Sequence, residues 1–595
     1  MIGLIDQPHH DGSALYVSTL SPRLGERVTV WLRVPYRVES VSVRTVHDGE
    51  PRYTPAEVDH ERTGRPVAGY GAADTWWKAE ITAHNPVTPY RFLLDGRWFT
   101  AAGPVDHDVP DSTDFRLVAH PAPPEWLKDA IVYQIFPDRF ARSDPEGKMP
   151  DWALPRQWDT DPVIPRGPGV AEQFYGGDLD GITQHLDHIQ ALGADTVYLT
   201  PFFPARSNHR YDASSFDRVD PVLGGDAALE RLAEAVHARG MRLLGDITTN
   251  HCGDAHEWFT TAVSDVNAPE REMFYFDPDT GDYESWWGVK TLPKLNWNSP
   301  LVRERMTEVL TRWLSVLDGW RVDVANMSGR FRADDLAHDV ARSLRAAVGD
   351  VAFIAEHNHD AASDLDRGGW QGTMNYAGFT RPVWTWLRGE APGLDTFLGV
   401  PGDVPLRDGE QTLATFRAFA AGMSWQALTH SWNLLDSHDS PRIRTVTGSR
   451  ERHLLALGLQ ATLPGTPMVF AGSEFGLTGI NGEHSRTPMP WTRERDEETH
   501  AAYRELLGLR RAEPALRHGG LRWLHADADC LVFLRETEAE SLLVAVRRAP
   551  GPEIELPLTG TATGVYHAGD LAEIRIPCEG PALRIWRLAS GVGPL

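Results

Sequence analysis

Between about residues 126 and 510 one pattern recurs: a short apolar run, then a longer stretch with amphipathic helical spacing. The runs fall at 131–137, 195–201, 242–247, 319–325, 351–356, 372–376, 431–436 and 466–471. Amphipathic stretches such as 226–240 and 301–317 lie between most of them. Strands that alternate with helices argue for a parallel sheet. Eight such units predict a (β/α)8 TIM barrel. The interval between the third and fourth runs is long, so residues 252–300 are expected to form an excursion over the top rim. That stretch holds Trp258, Trp286, Trp287 and Trp297.

The flanks read differently. In residues 1–120, Val28, Val30, Leu32 and Val34 alternate with polar positions, and Asp95-Gly96 marks a hairpin turn between 89–94 and 97–99. An N-terminal β-sandwich is expected there, followed by a Pro121-Ala122-Pro123-Pro124 joint. Residues 513–595 return to short strands, as at 530–534 and 541–546, and predict a C-terminal β-sandwich. The barrel then takes 126–251 and 301–512. A chain of 595 residues has room for this many domains.

Composition excludes several classes of partner. The net charge of −25 argues against nucleic acid or an anionic membrane surface. The three cysteines, Cys252, Cys530 and Cys578, form no metal-binding or disulfide spacing. No apolar run is long enough to span a bilayer. The opening Met1–Pro8 stretch has no basic region followed by an apolar one, so a cytoplasmic protein is expected.

The active site of a (β/α)8 barrel lies at the C-terminal ends of its strands. The third run ends in Asp246, with Asn250 and His251 just beyond. The fourth carries Arg321 and Asp323, two apart and therefore on one face of a strand. An Asp beside an Arg is expected to stay ionised, as a carboxylate nucleophile must. The fifth ends in Glu356, and the seventh leads to His438 and Asp439. Three acids at one rim suit glycosidic bond cleavage. One attacks or stabilises the anomeric carbon, a second protonates the leaving oxygen, and a third orients the sugar.

Four segments carry a resemblance to a known family. They are 246–251 (DITTNH), 319–326 (GWRVDVAN), 354–356 (IAE) and 435–442 (LDSHDSPR). In this order the chain resembles the α-amylase family, glycoside hydrolase family 13. The resemblance implies Asp323 as nucleophile, Glu356 as general acid/base and Asp439 as transition-state stabiliser. It implies Tyr211, His251, Arg321, His438 and Arg442 as residues around the cleaved sugar, and retaining double displacement. Leu292-Pro293-Lys294-Leu295-Asn296, Met374-Asn375-Tyr376 and 174–179 (FYGGDL) are similar to the neopullulanase, cyclomaltodextrinase and maltogenic amylase subgroup. That subgroup implies an N-terminal domain resembling a starch-binding module, a homodimer, and short, cyclic or branched maltodextrin substrates. By motif position it assigns Trp287, rather than Trp286, to the ligand.

The chain departs from the subgroup pattern in three places. Met327 stands where a Glu is usual, which bears on the balance between hydrolysis and glycosyl transfer. Asn358 stands where a Trp often follows the acid/base. Arg142 and Lys148 fall in the loop where relatives carry calcium ligands, leaving Asp144 and Asp178. No metal or other cofactor is expected to be required, with calcium an open alternative. Asp246 is read as a brace and Cys252 as inert. Trp76 and Trp77 alternate, so at least one belongs to a core. An α-glucanotransferase or isomerising enzyme, and a non-catalytic carbohydrate-binding protein, remain the alternatives.

Overall fold

The structure is a computed structural model that describes residues 3–63, 74–144, 147, 149–390, 392–589 and 593–594. Its centre is one eight-stranded parallel sheet. The strands are β1 (Val132–Ile135), β2 (Thr196–Leu199), β3 (Arg242–Thr248), β4 (Gly319–Asp323), β5 (Ala352–Ala355), β6 (Gly372–Thr373), β7 (Trp432–Leu434) and β8 (Thr466–Phe470). They lie in the order β6-β5-β4-β3-β2-β1-β8-β7. A single parallel bridge between Met374 and Trp432 joins the two ends of that row. The expected barrel is therefore present, with its thinnest seam between β6 and β7.

Alternation along each strand divides the apolar residues between two cores. Val132, Tyr198, Leu244, Ile354, Trp432 and Met468 pack inside the barrel. Their neighbours Tyr133, Val197, Leu243, Phe353 and Val469 pack outward beneath the helices. The same parity sends Asp246, Arg321, Asp323 and Glu356 inward, above the apolar plug. Gly319 opens β4 at φ +151°, where an added Cβ would lie 2.2 Å from the Ala352 carbonyl oxygen. Its lack of a side chain lets β4 and β5 pair closely at their bottom ends.

Most strands are shorter than their apolar runs, and at two of them the cause is visible. β4 ends at Asp323 because Val324 turns into the left-handed region, at φ 44° and ψ 41°. β6 keeps two residues, since 376–380 winds into a wide helical turn held by the Asn375 side chain on the Gly378 N–H.

The excursion after β3 is small. It has one α-helix, Glu257–Ser264, two 3-10 turns, and isolated bridges that include His251 with Lys294 and Ser285 with Pro293. Trp297 is fully buried and donates to the Thr249 carbonyl at 2.8 Å, which pins the returning chain to the end of β3.

N-terminal to the barrel, Arg27–Val34, Glu57–Val58 and Thr75–Thr82 form one antiparallel sheet. Val41–His47 and Val87–Leu94 centre a second, and Val28, Val30, Leu32, Val43 and Phe92 fill the space between the two. The Asp95-Gly96 turn has both residues at positive φ, 44° and 84°. Trp76 is buried against Tyr16, and Trp77 packs on the opposite face against the sandwich core. C-terminally, Gly520–Ala526, Cys530–Glu536, Ser541–Arg547, Ala582–Leu588 and Ala562–Tyr566 form a five-stranded antiparallel sheet. Among the described residues no helix is long and apolar enough to cross a membrane.

Candidate active site

Arg321 is fully buried and organises the rim. Its Nη1 donates to Asp323 Oδ1 at 2.9 Å and to the two Asp246 oxygens at 2.9 and 3.0 Å. Its Nη2 lies 3.0 Å from Glu356 Oε2, off the hydrogen-bond direction. Pairing register makes this possible: Asp246 lies beside Arg321, and Arg321 beside Ile354, two residues before Glu356. Three adjacent strands thus direct three carboxyls at one guanidinium. Glu356 Oε2 is held further by the Val324 N–H at 2.8 Å. A β-branched residue in the left-handed region costs about 1–3 kcal/mol. That strained turn directs the backbone of one strand onto the acid of the next.

One cation facing three buried acids decides the electrostatics. Burial pushes the Asp323 carboxyl well above the usual range, the charge of Glu356 pushes the same way, and Arg321 opposes both. Burial also raises Asp246 against the pull of Arg321. This corrects the expectation that Arg321 by itself keeps Asp323 ionised. Asp439 behaves in the opposite way. Burial would raise it, but His438 and Arg486 outweigh burial and hold it below the carboxylate range.

The His438 ring is held in place from β1. The Gln134 Oε1 accepts from the His438 backbone N–H at 3.2 Å, and its amide nitrogen lies 3.0 Å from His438 Nδ1. Nε2 therefore faces Tyr211 and Asp439. Nε2 lies 2.6 Å from the Tyr211 hydroxyl and 2.9 Å from Asp439 Oδ2. The Tyr211 hydroxyl donates to Asp246 Oδ2 at 3.0 Å. The Tyr211 ring stacks on His438, with centroids 5.6 Å apart and planes 17° apart. Asp323, Glu356, Asp439, Arg321, Tyr211 and His438 are therefore one connected group, and Asp246 is its brace.

His251 is buried beside Asn250, with Nε2 lacking a hydrogen bond among the described residues. Burial, aided by the Lys294 charge, lowers it to about 3, so it is neutral. Lys294 supplies a contact that sequence reasoning left without a role. Its Nζ donates to the Met327 carbonyl at 3.1 Å and to Asn250 Oδ1, tying the turn after β4 to the end of β3. Trp287 is 80% exposed at φ 51°. The ring beside His251, with centroids 6.0 Å apart, belongs to Trp286.

Arg442 does not join this group. It is fully buried and donates to the carbonyls of Ser485, Phe470 and Ala471 and to Ser473 Oγ. It braces the loop after β8 from below. The arginine at the rim is Arg486, in that loop. Its Nη2 lies 3.1 Å from Asp439 Oδ1, its Nε donates to the His438 carbonyl at 2.9 Å, and its Nη1 pairs with Glu483 at 2.9 Å. The signal that could have found it was the rule that every strand-end loop contributes to the rim, applied to β8.

In the loop beginning at Ala141, both Asp178 oxygens are already engaged. Asp178 Oδ2 accepts from the Ser143 N–H and hydroxyl, both at 2.9 Å, and Oδ1 caps the helix Leu179–Gln184 through Gly181. The Arg142 guanidinium lies nearby, over the Trp158 ring. Lys148 lies outside the described residues.

Residues 134–368 and 407–518 match the family model for the α-amylase catalytic domain. A cyclomaltodextrinase from a Bacillus species is 31% identical over 526 residues, covering 82% of this chain and 87% of the relative. The solved cyclic α-maltosyl-(1→6)-maltose hydrolase from Arthrobacter globiformis is 33% identical, with a TM-score of 0.63, over 73% of this chain and 94% of that one. The type III pullulan hydrolase from Thermococcus kodakarensis is 26% identical, with a TM-score of 0.72, over 97% and 99%. With four strand-end motifs on one barrel rim and these relatives, the chain belongs to the α-amylase family of glycoside hydrolases.

Proposed function

We propose that this glycoside hydrolase cleaves α-glucosidic bonds in short, cyclic or branched maltodextrins, including rings that contain α-1,6 links. The observation that carries the reading is the single guanidinium of Arg321 shared by Asp246, Asp323 and Glu356. In this scheme Asp323 attacks the anomeric carbon and Glu356 delivers a proton to the leaving oxygen. The first step needs the Asp323 carboxylate charged and a proton on Glu356. Their common anchor supports the short spacing of a retaining pair, about 5–5.5 Å. Glu356 then takes a proton from water as water attacks the glycosyl–Asp323 ester. Asp439, kept ionised by His438 and Arg486, holds sugar hydroxyls as positive charge develops on the ring. Tyr211 offers a stacking face, and His438 and His251 offer polar edges.

The A. globiformis relative, whose name places an α-1,6 bond in a ring, supports including such substrates. No step uses a metal, since the Asp178 oxygens are taken up by backbone and Ser143 donors. A homodimer in the cytoplasm belongs to the same proposal. A relative named intracellular maltogenic amylase supports the location.

The test is a parallel incubation with cyclodextrins, pullulan, maltotriose, panose and a cyclic α-1,6-containing tetrasaccharide, each with and without EDTA. Opening of at least one cyclic substrate, unaffected by EDTA, is expected. Activity on none of the five would overturn the substrate assignment. Longer products accumulating at high maltose concentration would instead identify a glucanotransferase.

Arg486→Met should lower kcat/KM about 10²-fold, because it removes a charge that holds Asp439 ionised. Its kcat/KM should also fall off at higher pH on the acid side than the parent's. Identical acid limbs in a pH–rate comparison would show that Arg486 does not act through Asp439.

A further inference from the structure

A second cavity lies where the N-terminal domain, the barrel and the C-terminal domain meet. Its volume is about 140 Å³, and its walls include His9, Asp11, Gly103, Arg417, Trp425 and Arg522. Trp425 opens the short helix that leads into β7, so the cavity sits at the barrel's bottom end, opposite the active site.

The cations here are unequally matched. Arg522 is paired with Glu536 at 2.9 Å. Arg116 spends its donors on the carbonyls of Ala421 and Ser112. Arg417 makes no hydrogen bond or ion pair among the described residues, and burial lowers its pKa with no anion opposing the shift. The Nε2 of His9 is also buried without a hydrogen bond; Asp11 Oδ2 is 3.9 Å away. Burial, with nearby arginines, holds His9 well below its usual range, so it is neutral. Asp11 is already engaged: Oδ1 accepts from the Ser13 N–H and Oδ2 from the Leu521 N–H. The room for Arg417 is specific. Its Nη2 lies 2.0 Å from where a Cβ on residue 103 would sit, and Gly103 holds φ +116°.

An unmatched guanidinium in a partly desolvated cavity is costly unless an anion joins it. A planar fork of N–H donors suits phosphate oxygens. We propose that this cavity binds a tetrahedral oxyanion: phosphate, either free or carried on a small sugar. Arg417 is its principal ligand, and His9 is a second hydrogen-bonding group. The anion would bridge strand Gly103–Val105, helix Gly409–Ala421 and strand Gly520–Ala526, and so hold three domains together.

The test uses the full chain at constant ionic strength. Inorganic phosphate should raise the unfolding midpoint, with a shift that grows with the logarithm of its concentration, and should titrate to one site per chain. Arg417→Met should abolish both effects and melt no lower than the parent in phosphate-free buffer, because it removes an unmatched charge. Arg417→Lys, which keeps the charge but loses the fork, should bind about tenfold more weakly. A hexose phosphate that binds more tightly than inorganic phosphate would identify the sugar-borne form, and equal binding the free anion. Three results would overturn the proposal: no shift with either phosphate compound, an undiminished response in both Arg417 variants, or an equal shift with unphosphorylated glucose. Hydrolytic turnover should not change in either variant, because the cavity lies at the far end of the barrel.

Discussion

Asp323→Asn should reduce hydrolysis by about four orders of magnitude or more while sugar binding persists. Loss of fold is not the cause, and a melting curve can show this. The Asp323 carboxyl is raised in the folded chain by burial and by Glu356. A raised acid favours the fold below its ordinary pKa and loses that contribution as pH climbs through the folded value. Asparagine carries no such penalty, so the variant should melt no lower than the parent at pH 7–8. Small nucleophiles test the two roles separately. With azide, Asp323→Ala should yield the inverted β-glycosyl azide, and Glu356→Ala the retained α-glycosyl azide. Unchanged turnover in Asp323→Asn, or the opposite pairing of azide products, would reverse the assignment.

Arg321→Met should be the more damaging change to the molecule. It leaves Asp246, Asp323 and Glu356 facing one another without the cation they share. Breaking a buried ion pair by removing one partner costs about 3–5 kcal/mol. The loss should depend on pH, with a definite sign. Asp246 and Asp323 are already raised, and removing the guanidinium raises them further. Their contribution to the variant's stability is full below their ordinary pKa and is lost as pH rises through the folded values. The gap in Tm between parent and variant should therefore widen from pH 5 to pH 8. A constant gap would mean that Arg321 acts through packing and not through charge.

The barrel was legible because its strands are short apolar runs separated by helical spacing. All eight runs contain a strand of the sheet. Their ends were less legible. Nothing in the residue types at 324 announces a left-handed turn, since valine disfavours it. The electrostatic surroundings of Asp323 were only half visible because the sequence shows one Arg beside one Asp, whereas the fold adds Asp246 and Glu356. Arg442 was placed near the sugar, and Arg486 was passed over, for a similar reason. Both follow Asp439 in sequence, but only loop geometry decides that one supports carbonyls and the other reaches the carboxylate. Trp286 and Trp287 are adjacent, and a backbone turn at φ 51° separates their environments.

Val324 marks a place where durability and speed make opposite demands. The backbone there favours glycine, yet the chain carries a stiff, branched residue whose N–H is aimed at Glu356. Val324→Gly should relieve the strain and raise Tm, while freeing the acid/base to wander and slowing the reaction. A library at this position, sorted once for heat resistance and once for turnover, should return glycine from the first sort and valine from the second. Selection for thermal robustness alone would thus erode the enzyme at a residue that never touches its substrate through a side-chain polar group.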